Sequence, residues 1–357
     1  LFIVTSPPIV ALTNPLADEL EDGGAAVTIY PEIATEPAVA TVQKALAAAR
    51  AVDPDGIIGL GGGSAMDTAK LVAALYSGEQ TVHEVFGIEK LESRALYLAC
   101  LPTTAGTGSE VSPNAILLDE EENLKKGIVS PHLVPDAAYI DPALTVTLPP
   151  AVTAATGVDA LTHCIEAYAN RFAHPVVDVY ALQGIRLINE NLLQAVEHGD
   201  DVEARTNMAL GSFYGGLCLA PVNTAAVHAL AYPLGSEFHV AHGVSNAVLL
   251  PHVLRFNFSA APQRHAEIAL AMGVEPGASD LETAECGVER IAALSKACGI
   301  PQSMGDLGVP EDAIPRMARA AMKVTRLLKN NLRDLTVTDA EAIYRAAYVY
   351  RAAYGRQ

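Results

Sequence analysis

Residues 56–75 read GIIGLGGGSAMDTAKLVAAL, and this stretch predicts the fold of the amino-terminal part of the chain. The apolar run at 56–60 indicates a buried strand, residues 61–64 indicate a tight turn, and the spacing of apolar residues from Ala65 onward indicates a helix. A strand that leads through a short turn into a helix is the first part of a strand–helix–strand unit. The stretch therefore predicts a parallel sheet covered by helices.

The same alternation extends over the first 150 residues. A helix is expected at 37–52, where alanines recur at helical spacing. Further strands are expected at 1–5, 25–30 and 96–101. We expect residues 1–150 to form an α/β dinucleotide-binding domain that ends at two adjacent prolines, Pro149 and Pro150.

Beyond residue 150 the sequence has almost no strand signal. Helical composition or period recurs in nine stretches, at 151–170, 176–197, 202–219, 224–234, 246–256, 262–272, 280–298, 311–328 and 339–353. We therefore expect residues 151–357 to form a second, all-helical domain. Two domains also suit the length of 357 residues, because single cores stop growing near ~250–300 residues.

Composition and charge argue against several classes of protein. Lys plus Arg number 23 and Asp plus Glu number 41, which gives a net charge of −18. Such a surface repels nucleic-acid phosphates and anionic lipids, so neither is an expected partner. No apolar run reaches the ~18 residues of a membrane-spanning helix. The five cysteines form no Cys-x-x-Cys pair and the first residues do not resemble a signal peptide, so we expect a cytoplasmic protein.

A glycine-rich turn lies between the strand and the helix quoted above, and it consists of Gly61, Gly62, Gly63 and Ser64. Residues without a Cβ let backbone N–H groups approach a phosphate, and the helix that follows adds the positive end of its dipole. The turn is neither a G-x-G-x-x-G nor a Walker A sequence, so a tight connection without a ligand is an equal alternative when it is taken alone. A second small-residue turn, PTTAGTGSE at 102–110, follows the next strand. Because ligands of α/β proteins bind at the carboxyl ends of strands, the two turns together favour a nucleotide site.

Four side chains of metal-ligand type occur in the helical half. Asp159 and His163 are four residues apart in a helical stretch, which places them on one face. His228 and His242 lie in apolar, small-residue surroundings. Three imidazoles and a carboxylate suit Fe²⁺, Zn²⁺, Co²⁺ or Ni²⁺ better than Mg²⁺ or Ca²⁺. Each histidine taken singly is more often a hydrogen-bonded structural residue, and only convergence of the four would indicate a metal site.

Five segments resemble the iron-containing (group III) alcohol dehydrogenases: GGGSAMDTAK, PTTAGTGSEV, ATGVDALTHCIEAY, HALAYPLG and AHGVSNAVLLPHVLRFN. They cover nearly the whole chain in the order of that family. The resemblance implies an α/β domain that binds NAD or NADP and a helical domain that holds a divalent metal, Fe²⁺ or alternatively Zn²⁺. It implies a homodimer that interconverts a small alcohol and an aldehyde or ketone by hydride transfer.

The resemblance also assigns individual residues. It places the metal on Asp159, His163, His228 and His242. It places the cofactor diphosphate on Gly61, Gly62, Gly63 and Ser64, and further cofactor contacts on Asp67, Thr103, Thr104, Thr107 and Lys125.

Three positions depart from the common pattern of that family. Many members have His where this chain has Tyr232, so Tyr232 is the candidate proton donor, although a phenol with an ordinary pKa of about 10 is a poorer shuttle than imidazole. NAD-specific members often carry Asp at the end of the first strand, where this chain has Ser6, which would not repel a 2′-phosphate. Glu36 stands near the position of a common Asn and would oppose that phosphate if it reached the same pocket. The preference between NAD and NADP stays open.

Three other functions remain as alternatives. A maleylacetate reductase would share the fold and reduce enoates or keto acids, although the sequence TAGTGSE is closer to the alcohol dehydrogenases. A lyase of the dehydroquinate synthase type would recycle its NAD and give no net change in NADH. A non-catalytic NAD-binding sensor would not need four metal ligands.

Overall fold

The computed structural model describes residues 1–34, 37–122 and 124–349. The chain divides into two compact units. The first comprises residues 1–148 together with 200–209, and the second comprises 149–199 and 210–357. The segment 200–209 therefore groups with the α/β unit, whereas the sequence placed it in the helical domain.

The first unit is built on a parallel sheet, as its sequence predicts. The described residues form eight strands, numbered in order: β1 (Phe2–Val4), β2 (Thr28–Tyr30), β3 (Gly56–Gly61), β4 (Gly87–Ile88), β5 (Tyr97–Pro102), β6 (Asn114–Asp119), β7 (Leu124–Val129) and β8 (Ala137–Ala138). Five of them form a sheet in the order β2-β1-β3-β5-β8, with every neighbouring pair parallel. The four strands expected from the sequence are β1, β2, β3 and β5, each within a few residues of its expected bounds.

A second sheet, in the order β4-β7-β6, did not follow from the sequence. Strands β6 and β7 form an antiparallel hairpin in which Asn114 lies opposite Val129. Strand β7 begins Leu-Lys-Lys-Gly, which lacks the apolar alternation of a strand. Its Lys126 instead forms ion pairs with Asp119 at 2.7 Å and with Glu122 at 2.8 Å, so pairing with β6 stabilises a strand that the pattern alone does not indicate.

Three helices cover the parallel sheet: α1 (Val10–Asp22), α2 (Val39–Val52) and α3 (Gly63–Leu75). Helix α3 is buried along most of its length, as the central helix of a doubly covered sheet should be. Its close approach to β3 requires Gly59, where a Cβ would lie 2.9 Å from the Cβ of Ala69. Helix α1 was not predicted, because Pro15 interrupts its pattern.

The described residues from 150 to 349 are mainly helical, which confirms the predicted fold class. The end of the predicted helix 339–353, from residue 350 onward, lies outside the described residues. The helices are α4 (Pro150–Tyr168), α5 (Pro175–Glu197), α6 (Val202–Cys218), α7 (Ala226–Phe238), α8 (His242–Asn257), α9 (Pro262–Ala271), α10 (Asp280–Ala297), α11 (Ile314–Ala321), α12 (Thr325–Leu328) and α13 (Val337–Tyr348). The stretch 311–328, predicted as one helix, is two, because the chain leaves helical geometry at Val324. Among the described residues, no helix is long and apolar enough to cross a membrane.

Candidate active site

The four predicted metal ligands lie together in the second unit. The Nε2 atoms of His228, His242 and His163 lie 3.4, 3.6 and 3.8 Å from Oδ1 of Asp159. The ligand atoms of Asp159, His228 and His242 are all within 4.8 Å of one another. His163 is not in that compact group of three, although its Nε2 is near Asp159. A carboxylate and two converging imidazole nitrogens, with a third imidazole nitrogen close to the carboxylate, have the donor chemistry of a site for Fe²⁺ or Zn²⁺, so the residues present fit such an ion.

Three helices position these side chains. Helix α4 carries Asp159 and His163 one turn apart, and both are buried. Helix α7 carries His228 in its first turn, and α8 begins at His242. The residue after His242 is Gly243, where a Cβ would lie 1.9 Å from the carbonyl oxygen of Ala155 on α4. Only glycine therefore lets the start of α8 approach α4 closely enough to bring His242 to the cluster.

Charge within the cluster favours a cation. Burial alone would raise the pKa of Asp159, but the neighbouring His163, His242 and His228 outweigh it and hold that pKa well below its usual range. Burial likewise lowers the pKa of His228, yet the carboxylates of Glu166 and Asp159 raise it to about 9. The carboxylates thus stabilise a proton on His228, and a metal ion can take the place of that positive charge.

Glu166 is a site residue that sequence reasoning missed. Its Oε2 lies 2.5 Å from Nδ1 of His228, and its Oε1 accepts a hydrogen bond of 2.6 Å from the amide of Val227. Because Nδ1 of His228 is held by the carboxylate, Nε2 is the nitrogen that faces Asp159. Glu166 follows His163 by three residues on α4, and that spacing was the only sequence signal.

We expect Glu166→Gln to weaken metal binding by ~10–100-fold, the usual cost of losing a carboxylate partner behind a ligating histidine. Glutamine keeps an acceptor for the amide of Val227 but not the negative charge beside His228. Competition with a chelator measures the dissociation constant. Glu237→Gln, which alters an exposed ion pair with Arg316 in the same unit, is the matched control and should leave the constant unchanged. Equal affinity in both variants would contradict this role for Glu166.

Asn246 is the second residue that the sequence did not single out. Its Nδ2 donates to Oδ1 of Asp159 at 2.7 Å and lies 3.2 Å from Nε2 of His228 and 3.4 Å from Nε2 of His242. It stands one helical turn after His242, and its side chain is fully buried. The Asn246 amide therefore helps to fix the orientation of Asp159.

Tyr232 lies beside the cluster, one turn after His228 on α7. Its ring centroid is 6.3 Å from that of His242. Its hydroxyl accepts a hydrogen bond of 2.8 Å from Nη2 of Arg326 on α12. The structure thus places Tyr232 next to the candidate ligands, and its role as proton donor stays a prediction.

The glycine-rich turn lies at the carboxyl end of β3 and at the start of α3. Helix α3 begins at Gly63, and its N-cap Gly62 provides no side-chain cap. The first N–H groups of a helix have no partner within it, so the amino end of α3 can bind an anion. Next to it, Thr104 has a buried hydroxyl without a hydrogen-bond partner among the described residues. A phosphate at this position could accept hydrogen bonds from the Thr104 hydroxyl and from the first N–H groups of α3.

The second small-residue turn lies against the first. A Cβ on Gly62 would lie 3.4 Å from the methyl of Thr104, and a Cβ on Gly63 would lie 2.8 Å from that of Thr107. Thr103 donates its amide to the carbonyl of Gly61 at 2.9 Å. The two turns predicted to share a ligand are therefore adjacent.

Asp67 connects the second turn to α3. Its Oδ1 accepts from Oγ of Ser109 at 2.6 Å, and its Oδ2 accepts from the amide of Ile116 at 2.9 Å. These bonds show that Asp67 positions the turn 102–110. A contact of Asp67 with the cofactor stays a prediction.

Two further predicted cofactor positions, Ser6 and Lys125, lie outside the two turns. Ser6 follows β1 and precedes a short 3₁₀ turn, so it lies at the same sheet edge as the glycine-rich turn. Ile9, from that 3₁₀ turn, would lie 3.3 Å from a Cβ on Gly61. Lys125 is buried on β7 of the second sheet, and its assignment stays a prediction. Glu36 lies outside the described residues.

A second group of potential ligands occurs in the first unit, at His83, Asp119 and Glu121. His83 and Glu121 are exposed. Asp119 already pairs with Lys126 at 2.7 Å, which neutralises its charge. This group is therefore a weaker candidate for a metal site than the cluster around Asp159, because two of its side chains are exposed and the third is already paired with a cation.

Comparison with known proteins agrees with the fold and shows the family of the chain. Residues 1–142 match the iron-containing alcohol dehydrogenase family, and residues 153–348 match the carboxyl-terminal part of the Fe-containing alcohol dehydrogenase family. Long-chain-alcohol dehydrogenase 1 of Geobacillus thermodenitrificans is 40% identical over 354 residues, which are 98% of this chain and 89% of that protein. 1,3-Propanediol dehydrogenase of Klebsiella pneumoniae is 39% identical over 97% of this chain and 90% of its own length.

Solved structures give the same result. The crystal structure of a 1,3-propanediol oxidoreductase superposes with a TM-score of 0.94 at 38% identity, and covers 97% of this chain and 91% of that one. The fold and these similarities define a dehydrogenase, and its helical unit carries a group of side chains that could hold a metal ion. The chain belongs to the iron-containing alcohol dehydrogenase family. It is an enzyme that interconverts an alcohol and an aldehyde or ketone, and the alternative functions are not favoured.

Proposed function

We propose that this enzyme reduces a small aldehyde and oxidises the matching alcohol with NAD(H) or NADP(H), with a divalent metal on Asp159, His163, His228 and His242. Fe²⁺ is the first candidate for the metal and Zn²⁺ the second. The observation that carries the proposal is the approach of three Nε2 atoms to within 3.8 Å of Oδ1 of Asp159.

The protein's own groups have defined tasks in this proposal. When bound, the cation polarises the substrate oxygen as a Lewis acid and the nicotinamide carries the hydride. Glu166 and Asn246 hold His228 and Asp159 in the orientation that binds the cation. Tyr232, whose ring centroid lies 6.3 Å from that of His242, would exchange a proton with the substrate oxygen.

The cofactor diphosphate would lie on the turn of Gly61, Gly62, Gly63 and Ser64. The uncapped amino end of α3 and the buried hydroxyl of Thr104 support this placement. Thr103 and Thr107 would line the same position from the second turn.

The proposal is tested with protein prepared without oxygen and loaded separately with Fe²⁺ and Zn²⁺. We expect metal-dependent oxidation of NADH or NADPH by aldehydes, followed by absorbance, with about one metal per chain by elemental analysis. The named relatives suggest the panel, since they include a lactaldehyde reductase of Escherichia coli and an NAD-dependent methanol dehydrogenase of Bacillus methanolicus. Turnover of enoates but not of aldehydes would instead favour a maleylacetate reductase.

The homodimer and the cytoplasmic location are part of the same proposal. The dimer rests on the family alone, and light scattering of the purified protein tests it. The five free cysteines, four of them buried, suit a reducing compartment.

We expect Ser6→Asp to shift the NAD/NADP ratio of kcat/KM toward NAD by ~10–100-fold, equivalent to roughly 1.4–2.7 kcal/mol. A carboxylate at the end of β1 would accept hydrogen bonds from the ribose hydroxyls of NAD and repel the 2′-phosphate of NADP. The wild type, with serine, should use both cofactors within about tenfold.

Steady-state kinetics with both cofactors on both proteins gives the two ratios. Ser6→Asn, of similar size but uncharged, is the control and should shift the ratio less. A wild type that already rejects NADP, with no shift in Ser6→Asp, would show that another group governs the choice.

A further inference from the structure

Arg326 places a positive charge beside the candidate metal site. Its Nη2 donates to the hydroxyl of Tyr232 at 2.8 Å, and the ring of Tyr232 lies 6.3 Å from that of His242. Tyr232 is only 4% exposed, so its phenol forms part of the buried surroundings of the ligands. The phenol of Tyr232 therefore lies between the guanidinium of Arg326 and the imidazole of His242.

No carboxylate of residues 1–34, 37–122 and 124–349 balances the charge of Arg326. Among the described residues, no carboxylate forms an ion pair with it, and its hydrogen bond goes to an uncharged hydroxyl. Arg326 is also half-buried, which makes an unbalanced charge costly. A half-buried guanidinium without a carboxylate partner is suited to bind an anion from outside the protein.

The sequence around Arg326 is unusual for this acidic chain. Residues 314–333 contain no Asp or Glu, although the net charge of the protein is −18. They contain six basic residues, Arg316, Arg319, Lys323, Arg326, Lys329 and Arg333. All of these except Arg326 are exposed. We call residues 314–333 the basic strip; its Arg316 is already paired with Glu237, and its other cations favour anionic ligands near Arg326.

The guanidinium has the geometry for this task. It carries five N–H donors in a planar fork that matches the two oxygens of a carboxylate, and the bond to Tyr232 engages only one nitrogen. In this bond the Tyr232 hydroxyl is the acceptor, because a guanidinium carries donors and no acceptor. The pair thus joins a side chain beside the candidate ligands to a guanidinium that can hold the far end of a substrate.

We propose that Arg326 binds an oxyanionic group of the substrate, a carboxylate in the simplest case, so that the preferred substrates are short aldehydes with an acidic group at the other end and the matching hydroxy acids. This inference rests on the proposed function, because it takes the alcohol–aldehyde reaction at the cluster as given. Arg326 is then a specificity-determining residue.

The test compares charged and uncharged aldehydes of similar length on metal-loaded enzyme. Succinic semialdehyde provides the carboxylate, sulfoacetaldehyde a sulfonate, and pentanal no charge. We expect the wild type to favour one or both anionic aldehydes over pentanal by at least ~10-fold in kcat/KM. The stronger of the two identifies the acidic group, and the preference should fall as salt is added.

Arg326→Gln should lose ~10–100-fold more kcat/KM on the preferred anionic aldehyde than on pentanal, because any loss through Tyr232 is common to both aldehydes and only the anionic one loses its charge partner. Lys323→Gln, an exposed residue of the same strip, is the matched control and should keep the preference. Binding of succinate as a dead-end inhibitor adds a readout without turnover, and it should weaken in Arg326→Gln only.

Two results would overturn the inference. One is a wild type that shows no preference for an anionic aldehyde, and the other is an equal loss on all aldehydes in Arg326→Gln, which would make Arg326 only a support for Tyr232. Loss of all aldehyde turnover in the metal-loaded wild type would contradict the proposed function itself, so the two failures are distinguishable. Thermal unfolding of Arg326→Gln shows that the variant is folded.

Discussion

Replacing His242 by alanine is expected to abolish tight metal binding and to lower kcat/KM for aldehyde reduction by more than ~100-fold. Removing a ligand should lower metal affinity and activity by more than the ~10–100-fold that is typical when a residue hydrogen-bonded to a ligand is removed. Without His242, Nε2 of His228 still lies 3.4 Å from Oδ1 of Asp159, but the remaining donors no longer surround a cation. His242 is also the best position for this test, because its side chain is 34% exposed whereas that of His228 is 5% exposed.

Elemental analysis after dialysis measures the metal content, and steady-state assays with added Fe²⁺ or Zn²⁺ measure the activity. His198→Ala, which removes an exposed histidine at the end of α5 in the same unit, is the control and should keep both. Full metal content and full activity in His242→Ala would remove this residue from the ligand set.

The sequence predicted those parts of the molecule that local patterns encode. Strands β1, β2, β3 and β5 and most helices followed from the spacing of apolar residues, because a buried face repeats along a single element. Strand β7 did not, because its stability comes from pairing with β6 and from ion pairs of Lys126 rather than from an apolar face. Helix α1 was hidden by an internal proline, Pro15.

The candidate site likewise contains residues that a local pattern indicates and residues that only the folded structure brings together. Asp159 and His163 share a helix face, so their spacing already indicated a common ligand. Glu166 and Asn246 act through a neighbour, and neither has a residue type that indicates metal binding by itself. The bond between Arg326 and Tyr232 joins residues 94 positions apart, and no local pattern reports such a contact. Long-range packing therefore determines the part of the site that selects the substrate.

The glycine-rich turn gives the second large expected effect. Gly62→Val should raise the dissociation constant for NADH by ~10–100-fold, because a branched side chain would occupy the position proposed for the diphosphate. The protein itself leaves room there, since a Cβ on Gly62 would meet only Thr104, at 3.4 Å from its methyl and 3.6 Å from its hydroxyl. Gly62→Ala should fold normally and show a smaller loss in the same direction.

Gly63 provides the contrast that makes this test specific. A Cβ on Gly63 would lie 2.8 Å from the methyl of Thr107, so Gly63→Ala is expected to lower the free energy of unfolding, while Gly62→Ala leaves it nearly unchanged. Fluorescence titration with NADH and thermal unfolding of both variants separate the two effects. If Gly62→Ala keeps the stability of the wild type but binds NADH more weakly, the added methyl must interfere with the cofactor, because the surrounding protein has space for it. Unchanged NADH affinity in a folded Gly62→Val would place the diphosphate elsewhere.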